Sequence, residues 1–200
     1  MNKILPFGRS CKAYLRLYGD CSPNVELSCS ICNRTLHKHG RYYRSVSSKY
    51  DTVIIPIYRW LCQDCGITVS LLPDFLVPWA RFVTWVREAA INRKLQGRSM
   101  QNIVLTVASP AVGISRSTVK RWWKHHLGKA SSVSLWIAGQ LVGSGLNNDL
   151  FELHPSPAAS SPVHTAAWLQ RLLALYFPHQ SRMRGYWPCL NSNQASSLWL

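Results

Sequence analysis

The sequence is poor in acidic side chains and has no long apolar run. Only 8 of its 200 residues are Asp or Glu, against 23 Lys and Arg, which gives a net charge of +15. No segment approaches the roughly 20 apolar residues that a membrane helix needs, and residues 1–9 lack the apolar core of a secretory signal. The seven cysteines are an odd number, which fits a reducing cytoplasm better than a disulfide scaffold. We therefore expect a cytoplasmic protein that is attracted to a polyanion and makes no membrane contact.

The scarcity of carboxylates also argues against metal-dependent DNA cleavage. Such chemistry needs carboxylates from a large sheet that converge on two Mg²⁺ ions. Five of the eight acids lie in residues 1–74, and only Asp149 and Glu152 follow Glu88. Residues 1–28 are too few to form the catalytic domain that a serine recombinase carries ahead of its DNA reader. We expect that the chain is not an enzyme on its own.

Four of the seven cysteines form two pairs, each with a two-residue gap. The pairs are Cys29 with Cys32 and Cys62 with Cys65. This gap lets both thiolates of a pair bind one Zn²⁺ at about 2.3 Å, and two pairs complete a closed tetrahedral site. Asn33 and Gly66 follow the pairs, at positions where a turn favours residues that tolerate a left-handed backbone. The pattern predicts a ribbon with one structural zinc ion, and disulfides or free buried thiols are the alternative.

The residues around the second pair have strand character. Thr52–Leu61 is β-branched and aromatic, and Pro56 within it predicts an edge strand or a bulge. Ile67–Leu71 predicts a further strand that stops before Pro73. The expected zinc ribbon therefore occupies residues 29–72, after an N-terminal extension over 1–28 and before a linker over 73–78.

The first ribbon segment, Thr35–Val46, is rich in basic and aromatic side chains. They are His37, Lys38, His39, Arg41, Tyr42, Tyr43 and Arg44. Such a cluster can contact phosphates or stack on bases, and a solvated sheet face explains it equally well. A zinc-ligand role for His37 and His39 is disfavoured, because the four cysteines already fill a tetrahedral shell.

Residues 79–130 predict three helices and carry most of the excess charge, with ten basic side chains against one acidic one. The first is expected to begin near Trp79 and to end before Gly97. The second is expected to begin at a cap on Ser99. The third is expected to begin at Ser115 and to end at Gly128.

The third predicted helix has the composition of a DNA reader. Val119, Trp122, Trp123 and His126 share one face, which would pack on the preceding helices. The other side offers basic and hydroxyl side chains to the major groove and its phosphates. The predicted DNA-binding residues are Arg116, Ser117, Thr118, Lys120, Arg121 and Lys124. A solvated basic face is the alternative, and residues 108–113 form a longer connection than a simple helix-turn-helix uses.

Residues 131–200 are less informative. Ser134–Val142 predicts a short apolar helix, Gly143–Pro162 a flexible linker, and His164–Phe177 an amphipathic helix that packs on its own domain or forms a homodimer contact. Residues after Pro178 show no pattern. Because basic charge becomes sparse after Lys129, we expect a truncated or rearranged end of a mobile-element protein.

Several segments together resemble a known family. They are the first cysteine pair, Leu36–Tyr42, Arg59–Gly66 and Leu71–Pro78, and Gly113–Trp122 is similar to the recognition-helix entry of many transposases and resolvases. Over residues 29–128 the chain resembles a bacterial family of uncharacterised transposase-associated proteins, in which a zinc ribbon precedes a helix-turn-helix. The resemblance implies a mobile-element DNA-binding protein, with the four cysteines as ligands and the third helix as reader.

The expected fold is therefore α+β, with a four-cysteine ribbon, a helix-turn-helix domain and a helical C-terminal region. The expected function is an accessory or regulatory factor that binds double-stranded DNA near the nucleoid, beside a separate transposase subunit. A zinc-ribbon module that docks on a nucleic-acid machine is the alternative. A catalytic transposase ranks last because the carboxylates are missing.

Overall fold

The computed structural model describes residues 2–6, 10–145, 161–177 and 186–192. These residues form an α+β fold with four strands and six helices. The strands are β1 (Asn2–Leu5), β2 (His37–Ser47), β3 (Thr52–Leu61) and β4 (Thr68–Pro73). The helices are α1 (Cys11–Tyr18), α2 (Thr84–Leu95), α3 (Met100–Val107), α4 (Arg116–Gly143), α5 (Pro162–Tyr176) and α6 (Trp187–Ser192).

One sheet contains all four of these strands, in the order β1-β4-β3-β2. Strands β2, β3 and β4 pair antiparallel, as a ribbon should, and a bulge lies between Lys38 and Arg41. Strand β1 was not predicted, and it joins β4 in parallel. Part of the expected N-terminal extension is therefore an integral edge of the sheet, because β4 would otherwise leave its outer hydrogen-bonding groups unpaired.

Pro56 lies in β3, opposite Tyr43 of β2. Although β3 is an inner strand, its ladder with β4 covers only Arg59–Leu61, so Pro56 lies beyond the doubly paired part. β3 is therefore like an edge strand only around Pro56, where β4 does not pair with it. The bulge lies in β2 and not in β3. Helix α1 covers this end of β3, and the Tyr14 hydroxyl donates a 2.9 Å hydrogen bond to the Pro56 carbonyl.

The sheet and helices α2 to α4 share one hydrophobic core. Its fully buried members include Ile55 and Ile57 from β3, Val86 from α2, Ile103 from α3 and Val119 from α4. The predicted linker also belongs to this core, since Phe75 and Leu76 are buried and the Thr84 amide donates to the Phe75 carbonyl at 2.9 Å. The segment predicted as a linker, residues 73–78, therefore contributes side chains to the core between the sheet and α2.

Helix α2 begins at Thr84, five residues later than predicted. The preceding residues pair instead with the end of β2, where Ser47 donates its amide to Arg81 and accepts from the Val83 amide. These hydrogen bonds pair backbone groups of Arg81 and Val83 with β2 while the segment is extended. Residues 81–83 therefore do not join the helix. The predicted stop is confirmed, because Gly97 has φ +80 just after the helix.

The predicted caps of α3 and α4 are confirmed. The Ser99 hydroxyl accepts a hydrogen bond from the Asn102 amide at 3.2 Å, and the Ser115 hydroxyl accepts one from the Thr118 amide at 3.1 Å. Each bond satisfies one of the free amides in the first turn of a helix. Gly113 has φ +63 and makes the turn that leads into Ser115.

The helix end predicted at Gly128 is wrong. Helix α4 continues through Gly128 to Gly143, so the separate helix predicted at Ser134–Val142 is its second half. A glycine inside a helix costs about 1 kcal/mol, and burial of apolar side chains exceeds that cost. Ala130, Val133, Ile137 and Leu141 are each at most 1% exposed.

The second half of α4 packs on α5, and both helices share a second hydrophobic core with α6. The predicted amphipathic helix is confirmed as α5, which begins at a Ser161 cap and buries Leu169, Leu172 and Leu173. Glu88 of α2 is buried, and its carboxylate accepts hydrogen bonds from the Tyr186 and Trp187 amides at the start of α6. Most of the predicted linker, at residues 146–160, lies outside the described residues.

None of the helices in the described ranges combines the length and apolar character that crossing a bilayer requires.

Candidate metal centre and nucleic-acid interface

The two cysteine pairs lie on turns with the same backbone geometry. In the first turn the Asn33 amide donates to the Cys29 carbonyl at 3.0 Å, and in the second the Gly66 amide donates to the Cys62 carbonyl at 2.9 Å. Asn33 has φ +58 and Gly66 has φ +67, as predicted for residues that tolerate a left-handed backbone. The two cysteine turns therefore have equivalent backbone geometry.

The four sulfur atoms converge on one point. Those of Cys29, Cys32, Cys62 and Cys65 all lie within 4.8 Å of one another, and the Cys32 and Cys62 sulfurs are 3.5 Å apart. Tetrahedral ligation with bonds of about 2.3 Å requires sulfurs about 3.8 Å apart. The cluster therefore fits one tetrahedral metal ion, and a set of four thiolates favours zinc or iron over calcium or magnesium.

The thiol pKa values show how strongly the groups affect each other. Backbone amides of Cys32 and Ile31 lower the pKa of the Cys29 thiol to about 7. Hydrogen bonding to Cys32, followed by burial, raises the pKa of the Cys65 thiol to about 12. Thiols this close cannot all ionise unless a cation neutralises them, so a divalent metal would complete the site.

The histidines of β2 do not join this cluster. Among the described residues, the potential ligands that converge at the site are the four cysteines alone. His37 and His39 are exposed on β2, together with Lys38, Arg41 and Tyr43. This part of β2 is exposed on both faces of the sheet, and the Arg41 guanidinium lies 5.4 Å from the centre of the Tyr43 ring.

The predicted DNA-binding residues lie together on the first turns of α4. Arg116, Ser117, Lys120, Arg121 and Lys124 are exposed, and Thr118 is half-buried beside the cap. The opposite face is anchored, because Val119 and His126 are fully buried and the Trp122 ring packs edge-on against Phe82 at 5.3 Å. The face of α4 with the basic side chains therefore has a fixed orientation.

The connection between α3 and α4 is attached to the sheet. The Ser109 amide donates to the Lys49 carbonyl at 2.8 Å, and its hydroxyl donates to the Tyr50 carbonyl. Lys49 and Tyr50 form the turn between β2 and β3. The turn that leads into α4 is thereby held at the end of the hairpin whose other end carries the cysteine cluster.

Comparison with known protein families finds a match over the segment that holds both features. Residues 29–122 match a domain of unknown function, DUF6431. The DUF6431 match begins at the first cysteine of the cluster and ends at Trp122, in the second turn of α4. No curated protein and no solved structure matches the chain. The matched region thus contains the cysteine cluster, the β2–β4 sheet, α2, α3 and the first turns of α4.

Sequence reasoning placed His126 on a packed face but missed the burial of Arg87 and Glu88, which lie with it where α2, α4 and α6 meet. The Arg87 guanidinium lies between the rings of Trp122 and Trp187, at 5.8 and 5.7 Å, and burial lowers its pKa to about 10. Burial also raises the pKa of the Glu88 carboxyl to about 7 and lowers that of His126 to about 4. The signal available in the sequence was the adjacent pair Arg87 and Glu88, which apolar residues flank on both sides within a predicted helix.

Proposed function

We propose that this chain is a zinc-containing protein that binds duplex DNA for a mobile element and is not catalytic by itself. The observation that carries the proposal is the first half of α4. A capped helix whose apolar side is docked on α2 and α3 presents five exposed basic or hydroxyl side chains on its free side. In this proposal α3, its connection and α4 act as a helix-turn-helix.

The chemistry of the exposed face suits the DNA major groove. Arginine can bond to guanine with two parallel hydrogen bonds, and lysine neutralises phosphate. Arg116 and Ser117 lie at the helix start, where a recognition helix contacts base edges, whereas Lys120, Arg121 and Lys124 follow along the same helix. The net charge of +9 over residues 79–130 supplies the long-range attraction.

The cysteine cluster acts as a structural element in this proposal. A four-thiolate site leaves no open coordination position, so one Zn²⁺ would hold the two turns together without reacting. Because the β2–β3 turn is hydrogen-bonded to Ser109, a rigid sheet would also hold the entry to α4 in place. The metal would then support DNA binding indirectly.

In this function the protein would act together with a separate subunit and with DNA. A separate transposase subunit would cut and join the DNA, because the acids are scarce and dispersed along this chain. The chain would act near the nucleoid in the cytoplasm, as an end-binding accessory factor or a repressor. A homodimer would let two α4 helices read two half-sites.

The first test is the affinity of the zinc-loaded protein for duplex DNA over a series of salt concentrations. Neutralisation of about six phosphates should give a log-log slope near −5. The series should compare a random sequence with the ends of any adjacent mobile element, because tighter binding to the ends would indicate a specific reader. Weak binding with no salt dependence would contradict the proposal.

Charge reversal tests the role of α4 itself. We expect Lys120→Glu with Arg121→Glu to weaken duplex binding at least 100-fold, because two phosphate or base contacts become repulsive. The matched control is Lys12→Glu with Arg16→Glu, which reverses two exposed cations on α1 and changes the net charge equally. Equal losses from both pairs would show that total charge, and not the face of α4, determines binding.

A second candidate function rests on a different observation. Ile31, in the first cysteine turn, is 69% exposed. An exposed apolar side chain in a turn can enter a pocket on a partner protein, where burial of its surface would stabilise the complex. A ribbon that docks on a nucleic-acid machine would lose its partner in the Ile31→Asp variant and keep it after nuclease treatment, whereas the DNA-binding proposal predicts neither result.

A further inference from the structure

The turn between β4 and α2 presents an exposed tryptophan in a strained backbone. Trp79 is 94% exposed and has φ +63, and the Ala80 amide donates to the Val77 carbonyl at 3.1 Å across the turn. Trp79 is thus the third residue of a turn in which Pro78 is the second. A positive φ at this position is normally met by glycine or asparagine, because a Cβ there is strained.

The strained turn is held in place by an arginine from the sheet. One nitrogen of the Arg44 guanidinium donates to the Val77 carbonyl at 3.0 Å and also to the Ala80 carbonyl. Arg44 is half-buried, which lowers its pKa, and its hydrogen bonds to the two carbonyls hold both ends of the turn. A large apolar ring is therefore kept in water by a specific contact, and strained residues of this kind concentrate at binding sites.

The tryptophan forms one wall of a cleft that contains a second aromatic ring. The cleft has a volume of about 230 Å³ and is lined by Asn2, Tyr42, Arg44, Leu72, Pro78 and Trp79. Two aromatic rings with an amide beside them are groups on which a nucleobase can stack and bond.

We propose that this cleft binds one unpaired nucleobase of a DNA strand, stacked on Trp79. This inference rests on the DNA binding proposed above and adds a second site on the sheet, away from α4. The indole and Tyr42 supply stacking surfaces, and the Asn2 amide can bond to the base edge. Such a site would favour distorted or partly opened DNA over a perfect duplex.

The test compares duplexes that differ by a single nucleotide. One is fully paired, one has an unpaired adenine at its centre, and one has an abasic residue in place of that adenine. Stacking of one base predicts that the wild-type protein binds the duplex with the unpaired adenine about tenfold more tightly than the other two. Equal affinity for all three would overturn the proposal.

Three variants separate stacking from folding. Trp79→Gly removes the ring and relieves the positive φ, so it should raise the melting temperature while it abolishes the preference for the unpaired adenine. Trp79→Phe should keep most of the preference. Tyr50→Ala, which removes another exposed aromatic ring beside a lysine, should keep all of it. A Trp79→Gly protein that retains the preference would contradict the proposal.

Two further ligands distinguish this site from the interface on α4. The paired duplex measures the proposed function alone, and Trp79→Gly should bind it as the wild type does. If the wild-type protein binds no duplex, a single-stranded oligonucleotide and free adenosine monophosphate still report on the cleft. Binding of the strand that depends on Trp79 would support the base site, binding of the free nucleotide alone would identify a nucleotide pocket instead, and binding of neither would refute it.

Discussion

At the scale of single residues, the buried ionisable groups between α2, α4 and α6 determine how stability responds to acid. The His126 ring stacks between Trp123 and Trp187, at centroid distances of 6.3 and 5.7 Å. Burial lowers its pKa from 6.5 to about 4. The folded protein therefore binds fewer protons here than the unfolded chain, and stability is lost as the pH falls from about 6.5 towards 4.

Glu88 has the opposite effect. Burial raises the pKa of its carboxyl from 4.5 to about 7, against the hydrogen bonds from the Tyr186 and Trp187 amides that favour the ionised form. The folded protein then binds more protons at this site, so stability is gained as the pH falls from about 7 to 4.5. The two groups therefore oppose each other over most of the same range.

The variant His126→Phe should isolate the contribution of His126 to the pH dependence of stability. Phenylalanine keeps a ring between the two tryptophans but cannot be protonated, so the variant should gain stability relative to the wild type as the pH falls. The expected relative gain approaches about 3 kcal/mol between pH 6.5 and 4. Urea unfolding at several pH values measures it, and effects of the cysteine cluster cancel in the comparison. A difference that does not change with pH would show that His126 does not titrate in this range.

At the scale of secondary structure, the decisive element is α4, which is twice as long as its sequence signals predict. Gly128 matches the usual stop signal, but it lies inside the helix, and a Cβ built on it meets no atom within 4 Å. A Cβ built on Gly66 also meets no atom within 4 Å, but Gly66 lies in the second cysteine turn and has φ +67. The two glycines thus have similar room for a side chain but different backbone conformations.

Alanine substitution should affect these two glycines in opposite directions. Gly128→Ala should stabilise the protein by about 1 kcal/mol, because alanine is the better helix former. Gly66→Ala should destabilise it by about 1 kcal/mol, because alanine disfavours a left-handed backbone. Thermal unfolding of both variants measures the two shifts. If Gly128→Ala were destabilising instead, the helix would end where its sequence indicates.

At the scale of the whole molecule, the cysteine cluster and α4 belong to one packed unit. Residues of the sheet and of α2 to α4 share the first core, and Ser109 joins the hairpin turn to the helix connection. Loss of a cysteine from the cluster should therefore destabilise the packing of α4, although the cysteines do not belong to the exposed basic face of that helix. This expectation distinguishes one cooperative unit from two modules on a linker.

Removal of one cysteine should test that coupling. We expect Cys62→Ser to lower the stability on the order of 5 kcal/mol, a fall in melting temperature of roughly 10–20 °C, and to weaken duplex DNA binding. Metal analysis of the purified protein should give one zinc per wild-type chain. Cys21→Ser is the control, since Cys21 is exposed and lies outside the cluster. An unchanged DNA affinity in Cys62→Ser would show that α4 folds independently of the cluster.

The sequence alone determined the features that depend on short-range geometry. The cysteine spacing predicted the cluster, Asn33 and Gly66 predicted the left-handed turns, and Ser99 and Ser115 predicted two helix starts. The turns and caps depend on signals within one turn of the chain, where neighbouring residues impose the backbone conformation, whereas the cluster also required the sheet to bring two pairs about 30 residues apart together. Whether a metal occupies the cluster, and whether the face of α4 binds DNA, stay predictions.

Tertiary structure alone decided the features that depend on distant partners. Strand β1 forms because β4 offers a free edge, and α4 passes Gly128 because α5 covers its second half. The strained turn at Trp79 persists because Arg44, some 35 residues earlier, holds both of its ends. Burial and hydrogen bonding of this kind outweigh a local preference of about 1 kcal/mol, and no local pattern in the sequence records which distant residues will supply them.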